Sequence, residues 1–593
     1  AATAAGAGAL SIQFRAGADR LAMETRDARQ QLLVSDAAGR DLTRTVTWSS
    51  QPPGVVAVDA TGRVTPLADG ETVLTARAAD GSSATLPATV RRSGEAAPIH
   101  FANQIVPIFT KNGCNGGGCH GKAAGQNGFR LSLLGFEPAE DYEHLLREAR
   151  GRRLFPAAPE RSLLLTKGTA ELPHGGGKRL DRASDDYRRL TRWIAQGMPV
   201  GDPAAPAVTR LEVFPSSRTL ALESEQQLAV TAHYSDGSTE DVTRSALFEP
   251  NDKDLAQCSE QGLLKAFNLP GEVAVMVRYQ GKVTVFRGTL PLGAPVERLP
   301  LARNFIDELV FKQLRRVGMP PSDPCDDPTF LRRVTLDLAG RLPTPAEGVA
   351  FAADPAAARR DAVIDRLVAS ADHAEYFAQK WSALLRNKRS DARQQRGTYA
   401  FHGWIRDSLH QNKPYDRFVR EVLTASGDLA DNPPVAWYRQ VRSSQNQLED
   451  ISQLFLGQRL QCAQCHHHPY EKWSQADYWS FGAFFSQVSY QPGSQPGEEV
   501  VVHKRGAARA TNKKNGQSLQ PAGLAQPALE VGPDEDPRLL LADWMTSPTN
   551  PWFARALVNR YWKHFFGRGL VDPEDDMRET NPPTNPELLD ALS

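Results

Sequence analysis

Asp41-Leu42-Thr43-Arg44 returns later in the chain as Asp241-Val242-Thr243-Arg244. Outward from this tetrapeptide the correspondence continues: Trp48 falls opposite Phe248, Gly62 opposite Gly262 and Gly70 opposite Gly271. An offset of 200 or 201 residues held over 30 positions marks an internal repeat. In the first copy, short β-rich runs (Thr45-Val46-Thr47-Trp48, Val55 to Val58, Thr72 to Ala76) are separated by Gly, Asp and Pro turns. Residues 10–93 and 209–292 therefore read as two all-β sandwiches. In this register Cys258 lies opposite Val58, on a strand facing the core, where a free thiol serves as a small hydrophobe.

The segment between the copies is different. It opens with a helix-like run, Phe101 to Thr110, and closes with another, Asp186 to Gln196, stopped by Gly197 and Pro199. Residues 300–485 are again helical in pattern, with 3.6-periodic apolar stripes in Phe305 to Phe311, Phe330 to Leu338, Ala362 to Val368 and Phe401 to Leu409. Residues 487–537, rich in Gly, Pro, Gln and Ser, read as a long loop or linker, and 538–593 return to helix. The helix begun by Asn585-Pro586-Glu587 runs into Ser593, so an incomplete last domain is expected. The opening Ala1-Ala2-Thr3-Ala4-Ala5 shows no charged n-region or long apolar h-region; a small-residue start suits either a processed export substrate or a flexible terminus.

Composition narrows the class. At about 150 residues per domain, 593 residues call for about four domains. With 40% hydrophobic and 23% charged residues, wholesale disorder is excluded. Lys+Arg and Asp+Glu number 69 each, so no basic excess points to nucleic acid. No apolar run reaches the roughly 18 residues of a membrane span. Six cysteines exclude a disulfide-dense scaffold.

The placement of those cysteines carries the chemistry. Cys462-Ala463-Gln464-Cys465-His466 is C-x-x-C-H, the attachment signature of c-type haem. Two thiols add to the porphyrin vinyl groups, and the next histidine comes under the iron as an axial ligand. Zinc, with His467 and His468 as further ligands, and a redox C-x-x-C are the rivals. The motif follows an apparent helix, Leu448 to Leu460, rather than the strand a thioredoxin-like motif would follow. Cys114-Asn115-Gly116-Gly117-Gly118-Cys119-His120 is C-x₄-C-H; its three glycines can take positive φ and loop out between the thiols, and an oxidised Cys114–Cys119 pair is the alternative.

Second axial ligands are harder to place. At the first site the candidates are His174, in Leu172-Pro173-His174-Gly175, and Met198; His174, on the loop before the closing helix, is favoured. At the second, His402 in Tyr399-Ala400-Phe401-His402-Gly403-Trp404 is the best single candidate, with His468, His503 and His564 as other options, and an open iron face is the remaining one. Trp473, Tyr478, Trp479, Phe481, Phe484 and Phe485 read as core and haem wall together. Cys325 could pair with Cys258 in an oxidising compartment.

Several stretches resemble known families. The two repeats resemble bacterial Ig-like domains of the group 2 type. Tyr187 to Pro199, with its Leu-x-x-Trp-Ile-x-x-Gly ending, resembles the closing helix of small cytochromes c. Cys114 to Gly135 with Leu172 to Gly177 looks like the planctomycete-type cytochrome c domain. Phe330 to Pro345, Trp404 to Leu409, Pro414 to Phe418 and Cys462 to Trp473 look like its helical companion domain of unknown function. Asn550 to Trp562, Gly567 to Leu570 and Asn581 to Leu589 resemble the opening of a second companion domain. The resemblance implies export and Ig-like modules, and leaves the reaction open. The C-x₄-C-H spacing departs from it.

The expected architecture is multidomain, two all-β Ig-like sandwiches alternating with a small all-α cytochrome c-like domain and a larger mainly α-helical haem domain. Its pieces are 1–95, an Ig-like sandwich; 96–205, the cytochrome c-like domain; 206–295, the second sandwich; 296–486, the helical domain with C-x-x-C-H; 487–537, a linker; and 538–593, the start of the second companion domain. The expected function is electron transfer by an exported di-haem c-type cytochrome, periplasmic or at the cell surface. Two haem c groups would sit on the thioether anchors Cys114, Cys119, Cys462 and Cys465, with His120, His466, His174 and His402 as iron ligands and no catalytic residue assigned. Partners would be a redox protein and cell-surface or polysaccharide contacts made by the Ig-like modules. The alternatives are a haem peroxidase or oxidase with one open iron, and a surface adhesion protein with zinc or disulfides at the Cys-His motifs.

Overall fold

The computed structural model describes residues 10–593 apart from 390–394, 469–470 and 494–498. The small-residue opening, residues 1–9, lies outside the described residues. The chain divides into two compact units: Ala1–Arg298 with Lys312–Pro320 and Pro469–Lys472, and Leu299–Phe311 with Pro321–His468 and Trp473–Ser593.

The first unit contains both repeats, and they share one topology. In the first, a four-stranded sheet runs in the order Leu21–Glu24, Ser83–Arg91, Gly70–Arg77, Thr47–Gln51. In the second the order is Ser217–Thr219, Lys282–Leu290, Gly271–Tyr279, Leu247–Pro250. In each, the first strand pairs parallel to the last, and the others are antiparallel. A three-stranded sheet accompanies each: Gln30–Gln31, Arg63–Pro66, Val56–Val58 in one and Glu225–Gln227, Leu263–Ala266, Ala256–Cys258 in the other. Both are Ig-like arrangements, as the repeat predicts. Gly62 and Gly262 share a φ of +77°, and a Cβ at Gly62 would lie 2.7 Å from the Leu32 carbonyl oxygen, so both copies keep glycine there. Strand Gly70–Arg77 buries alternate residues (Thr72, Leu74, Ala76), as one wet face requires. Gly271–Tyr279 is buried on both faces from Val273 onward. Both faces reach the helical domain: Arg278, on the outer face, has its guanidinium 5.5 Å from the Phe136 ring centre, and Tyr279, in the core cluster at the strand end, donates to the Asn103 carbonyl at 2.7 Å.

The repeats also bind each other reciprocally. Asp241 Oδ2 accepts from the backbone N of Gln31 at 2.6 Å and from Gln30 Nε2 at 2.8 Å. Asp41 Oδ2 accepts from the backbone N of Gln227 and from Gln226 Nε2 at 3.1 Å. Arg44 reaches Gln227 Oε1 and Arg244 reaches Gln31 Oε1, both at 3.3 Å. Residue i of one copy meets residue j of the other and the reverse, the signature of a two-fold contact, here within a single chain.

The helical domain between them has a π-turn over Phe101–Ile105 continued by α1 (Val106–Lys111), then α2 (Pro138–Leu146), α3 (Leu163–Gly168) and α4 (Asp185–Ala195). Ser184 caps α4 by accepting from Tyr187 N. Tyr187, Leu190, Trp193 and Ile194 turn the buried face of α4 onto Phe101, Ile105 and Phe109. Trp193 is fully buried 5.4 Å from Phe101, and its Nε1 donates to the Pro199 carbonyl at 2.9 Å.

The second unit is mainly helical. Helices Asp327–Ala339, Pro345–Ala353 and Arg359–Val368 close around Leu331, Leu338, Phe351 and Leu367. A larger core gathers Trp381, Phe401, Trp437, Phe455, Tyr478 and Phe484. The stretch 487–537, expected as a loop, carries two antiparallel strand pairs, Val488–Pro492 with Glu499–His503 and Ala510–Thr511 with Ser518–Leu519. Val501 is fully buried there and Tyr490 donates to the Tyr438 carbonyl at 3.0 Å, contacts that polar composition concealed. Among the described residues no helix is long and apolar enough to cross a membrane.

Candidate functional site

The first Cys-His motif begins where α1 ends. Gly113, at φ +70°, turns the chain, and Cys114 N donates to the Phe109 carbonyl at 2.8 Å. The four-residue excursion between the cysteines folds back on itself: Cys119 N donates to Gly116 O at 2.9 Å and His120 N to Cys114 O at 3.0 Å. Gly121 is required by close approach, since a Cβ there would fall 1.9 Å from the Asn115 carbonyl oxygen. The extra residues of C-x₄-C-H are thus taken up in a compact loop, and both thiols stay on one side of it.

Cys114, Cys119, His120 and His174 line a single cavity of about 530 Å³, within the range of about 300–1,000 Å³ usual for small-molecule and cofactor sites. Its apolar wall is Ile108, Phe109, Phe129, Leu131 and Leu180, and its rim carries Arg152, Lys167 and Arg179. The His120 and His174 rings are parallel within 8°, with centroids 6.2 Å apart. Two imidazoles binding one metal from opposite sides, at about 2.0 Å per metal–nitrogen bond plus about 1 Å of ring radius each, have centroids about 6 Å apart. His120 Nδ1 lies 3.0 Å from the Phe129 carbonyl oxygen and His174 Nδ1 lies 2.9 Å from that of Gly177. A carbonyl only accepts, so each Nδ1 carries a proton, and in the neutral ring that leaves the Nε2 lone pair for a metal. Burial holds the His120 pKa below its ordinary value, outweighing the Phe129 carbonyl, and favours the neutral ligand form. Burial also pushes the Cys114 thiol up to about 11, against the pull of Arg179. The donor set, the apolar wall and the cationic rim fit a haem: two imidazoles for iron, two thiols for the vinyl groups and guanidinium and ammonium groups for the propionates.

Met198, the other sequence candidate, follows α4 at φ +58° and packs against the hydrophobic core of the domain, while its carbonyl accepts from Tyr142 Oη at 2.7 Å.

The second motif is presented differently. Helix Ser444–Leu456 stops at Gly457 in the left-handed region, and a 3₁₀ turn, Gln461–Gln464, carries Cys462. Leu460 and Ala463 are fully buried and pin the turn, while Cys462 and Cys465 are exposed. His466 Nδ1 contacts the His467 carbonyl at 2.7 Å. His467 Nδ1 accepts from Gln475 N at 3.2 Å, and the buried His468 donates its backbone N to Trp473 O at 2.8 Å. Trp473, Tyr478, Trp479, Phe481, Phe484 and Phe485 are core residues. His402 lies on helix Gln395–His410 with both ring nitrogens engaged: Nδ1 is 3.1 Å from Ser382 Oγ and Nε2 is 3.1 Å from Glu375 Oε1. The structure therefore brings together Cys114, Cys119, His120 and His174, and gives His402 partners outside the Cys462–His466 turn.

All six cysteines are free, so neither Cys114–Cys119 nor Cys258–Cys325 is a disulfide. Burial pushes the Cys258 thiol up to about 12, as its core-side position predicts. Among the described residues no group of three or more His, Cys, Asp or Glu side chains is placed to hold a metal ion. Sequence reasoning missed the carbonyls of Phe129 and Gly177 and the cationic rim, because each reaches the cavity only through tertiary folding.

Two stretches of the chain match family models. Residues 305–490 match the model PSCyt2, protein of unknown function (DUF1549), and residues 537–593 match PSD1, protein of unknown function (DUF1553). No curated protein matches significantly. Among solved structures, the S-layer protein rSbsC(31-844) is 11% identical at a TM-score of 0.14, over 49% of this chain and 28% of that one. SbsC domains 5-6 are 10% identical at 0.19, over 48% of this chain and 99% of that one. Tandem Ig repeats of Dlar are 8% identical at 0.13, over 48% and 97%.

Proposed function

We propose that this chain is an exported di-haem c-type cytochrome that moves electrons at the periplasm or cell surface. The observation that carries this reading is the His120–His174 pair, parallel, 6.2 Å apart, in a cavity that also holds Cys114 and Cys119. His120 and His174 would hold the iron of the first haem, and Cys114 and Cys119 would anchor it covalently. The Phe129 and Gly177 carbonyls hold the proton on each Nδ1 and fix both ring planes. The apolar wall would cover the faces of the bound group, and Arg152, Lys167 and Arg179 would neutralise propionates at its mouth. When bound, haem supplies reversible one-electron chemistry, at a lower potential with two histidines than with histidine and methionine. Covalent attachment of c-type haem takes place outside the cytoplasm, which is the basis for the proposed location. The Ig-like modules would space or dock the haem domain.

Cys462, Cys465 and His466 would attach the second haem. Because His402 already has Ser382 and Glu375 as partners, no sixth ligand is assigned there. That observation favours, as a second reading, a haem with an open iron face acting as peroxidase or oxidase on an extracellular substrate.

The test is a visible spectrum and a pyridine haemochrome count on protein made in a host that attaches c-type haem. Two haems per chain, low-spin in both oxidation states, are expected of the electron carrier. One high-spin component moves the reading toward catalysis at the second motif. Absence of a Soret band overturns the cytochrome assignment and leaves a surface protein without haem.

A further inference from the structure

A second cavity, of about 320 Å³, lies against the solvent side of α4. One wall is the loop following strand Leu21–Glu24 of the first Ig-like domain, with Arg26, Asp27 and Arg29. The other is a stripe of α4, with Asp185, Arg188, Arg189 and Arg192. These four positions are spaced by three, one and three residues and so share one helix face. Five guanidinium groups stand against two carboxylates.

Both carboxylates are already engaged. Asp27 accepts from Arg192 Nη1 through each oxygen at 2.9 Å, and from the backbone N of Ala97 at 2.7 Å. Asp185 is shared between Arg188 and Arg63. Arg29 gives Nη1 to the carbonyls of Arg26 and Ala28 at 2.8 and 2.7 Å, and no carboxylate is bonded to it, to Arg26 or to Arg189 among the described residues. The Nε atoms of Arg29 and Arg192 are buried with no hydrogen-bond partner. Buried guanidinium N–H groups left unmet are destabilising, and several like charges round one cavity add to that. The Arg29 pKa is lowered by burial and next by Arg63, in line with this crowding. Planar guanidinium forks match the oxygens of phosphate and sulfate. The cavity volume equals that of about ten waters at about 30 Å³ each, enough for such a group with part of its hydration or a small ester.

We infer that this cavity binds a phosphate or sulfate group, free or as a small ester, between the first Ig-like domain and α4. The bound anion would tie the two together, and it lies outside the proposed haem site.

Calorimetric titration of the full holoprotein with inorganic phosphate, and separately with inorganic sulfate, at ionic strength fixed by chloride, tests this. One saturable site per chain is expected, with phosphate or sulfate raising the melting temperature as ligand linkage requires. Arg189→Ala and Arg29→Gln are each expected to weaken binding at least tenfold and to abolish the rise in melting temperature. The Arg189 side chain makes no hydrogen bond or ion pair among the described residues, so its variant decides the matter if Arg29→Gln does not fold. A parallel titration with glucose 6-phosphate separates the sources: rejection assigns the free ion, and binding on the same arginines assigns an ester. No saturable binding of any probe, or binding unchanged in Arg189→Ala with an unperturbed haem spectrum, overturns the proposal.

Discussion

His174 is where the cytochrome reading is most exposed to test. Its Nδ1 is held by the Gly177 carbonyl and its ring lies parallel to that of His120. His174→Ala removes the ligand but neither thiol nor His120. The expected outcome is an unchanged haem count with one haem turned from low-spin to high-spin, read in the visible and near-infrared spectra. His174→Met is expected to keep a low-spin haem and raise its midpoint potential, since a thioether ligand favours the reduced iron. An unaltered spectrum in both variants would show that His174 does not ligate. Cys462→Ala with Cys465→Ala is expected to leave one covalently held haem, counted by pyridine haemochrome, and retention of two would show that the second motif attaches none.

At the scale of elements, α4 backs the π-turn and α1, and α1 supplies Ile108 and Phe109 to the cavity that holds His120. Its buried stripe packs on the π-turn and α1, and Trp193 is the largest member of that contact. Trp193→Ala deletes a fully buried indole and strands the Pro199 carbonyl, so a loss of about 3–5 kcal/mol is expected in denaturant melts, together with weaker haem retention. Gly62→Ala tests the turn between the short strands Val56–Val58 and Arg63–Pro66. It combines positive φ with a 2.7 Å clash against Leu32 O, and a cost of about 1–3 kcal/mol is expected, with Gly54→Ala, open at its Cβ, as the comparison that carries the φ strain alone. The short strand pairs within 487–537 show why element reading failed there. Their inward residues are few, and Val501 and Tyr490 gain their burial from helices distant in sequence.

At the scale of the first unit, the reciprocal contact between the two Ig-like domains ties its stability to pH. The carboxyl of Asp241 is held up at about 6 by burial, against hydrogen bonds from Gln31 and Thr243, and burial likewise holds Asp141 at about 6. Above about pH 4 an unfolded chain releases these protons while the folded one keeps them until about pH 6. The folded state then binds more protons, so this contribution is full below about pH 4 and is lost as pH rises to about 6. The size is at most about 3 kcal/mol per group, from two pH units at about 1.4 kcal/mol each. Asp185, held down at about 2 mainly by Arg63 against burial, acts in the opposite sense and only below about pH 4. The melting temperature is therefore expected to fall between pH 4 and 6.5, and Asp241→Asn is expected to flatten part of that slope. An identical slope in the variant would show that Asp241 ionises normally.

The sequence alone determined the repeat, the helical insert between its copies and the two Cys-His motifs, because each rests on short-range pattern: turn glycines, period-two and 3.6-residue apolar spacing, and thiols next to histidine. Asp41 and Asp241 were legible as repeat markers, yet their role in holding the copies together was not. Only tertiary structure decided that His174 faces His120 across one cavity while His402 turns to Ser382 and Glu375, since these contacts depend on residues 54 and 27 positions apart meeting in space. The arginine cavity has the same origin: Arg29 and Arg189 are unremarkable charges in the chain, and become a site only when a β-domain loop is packed against α4, where burial removes the water that would otherwise satisfy them.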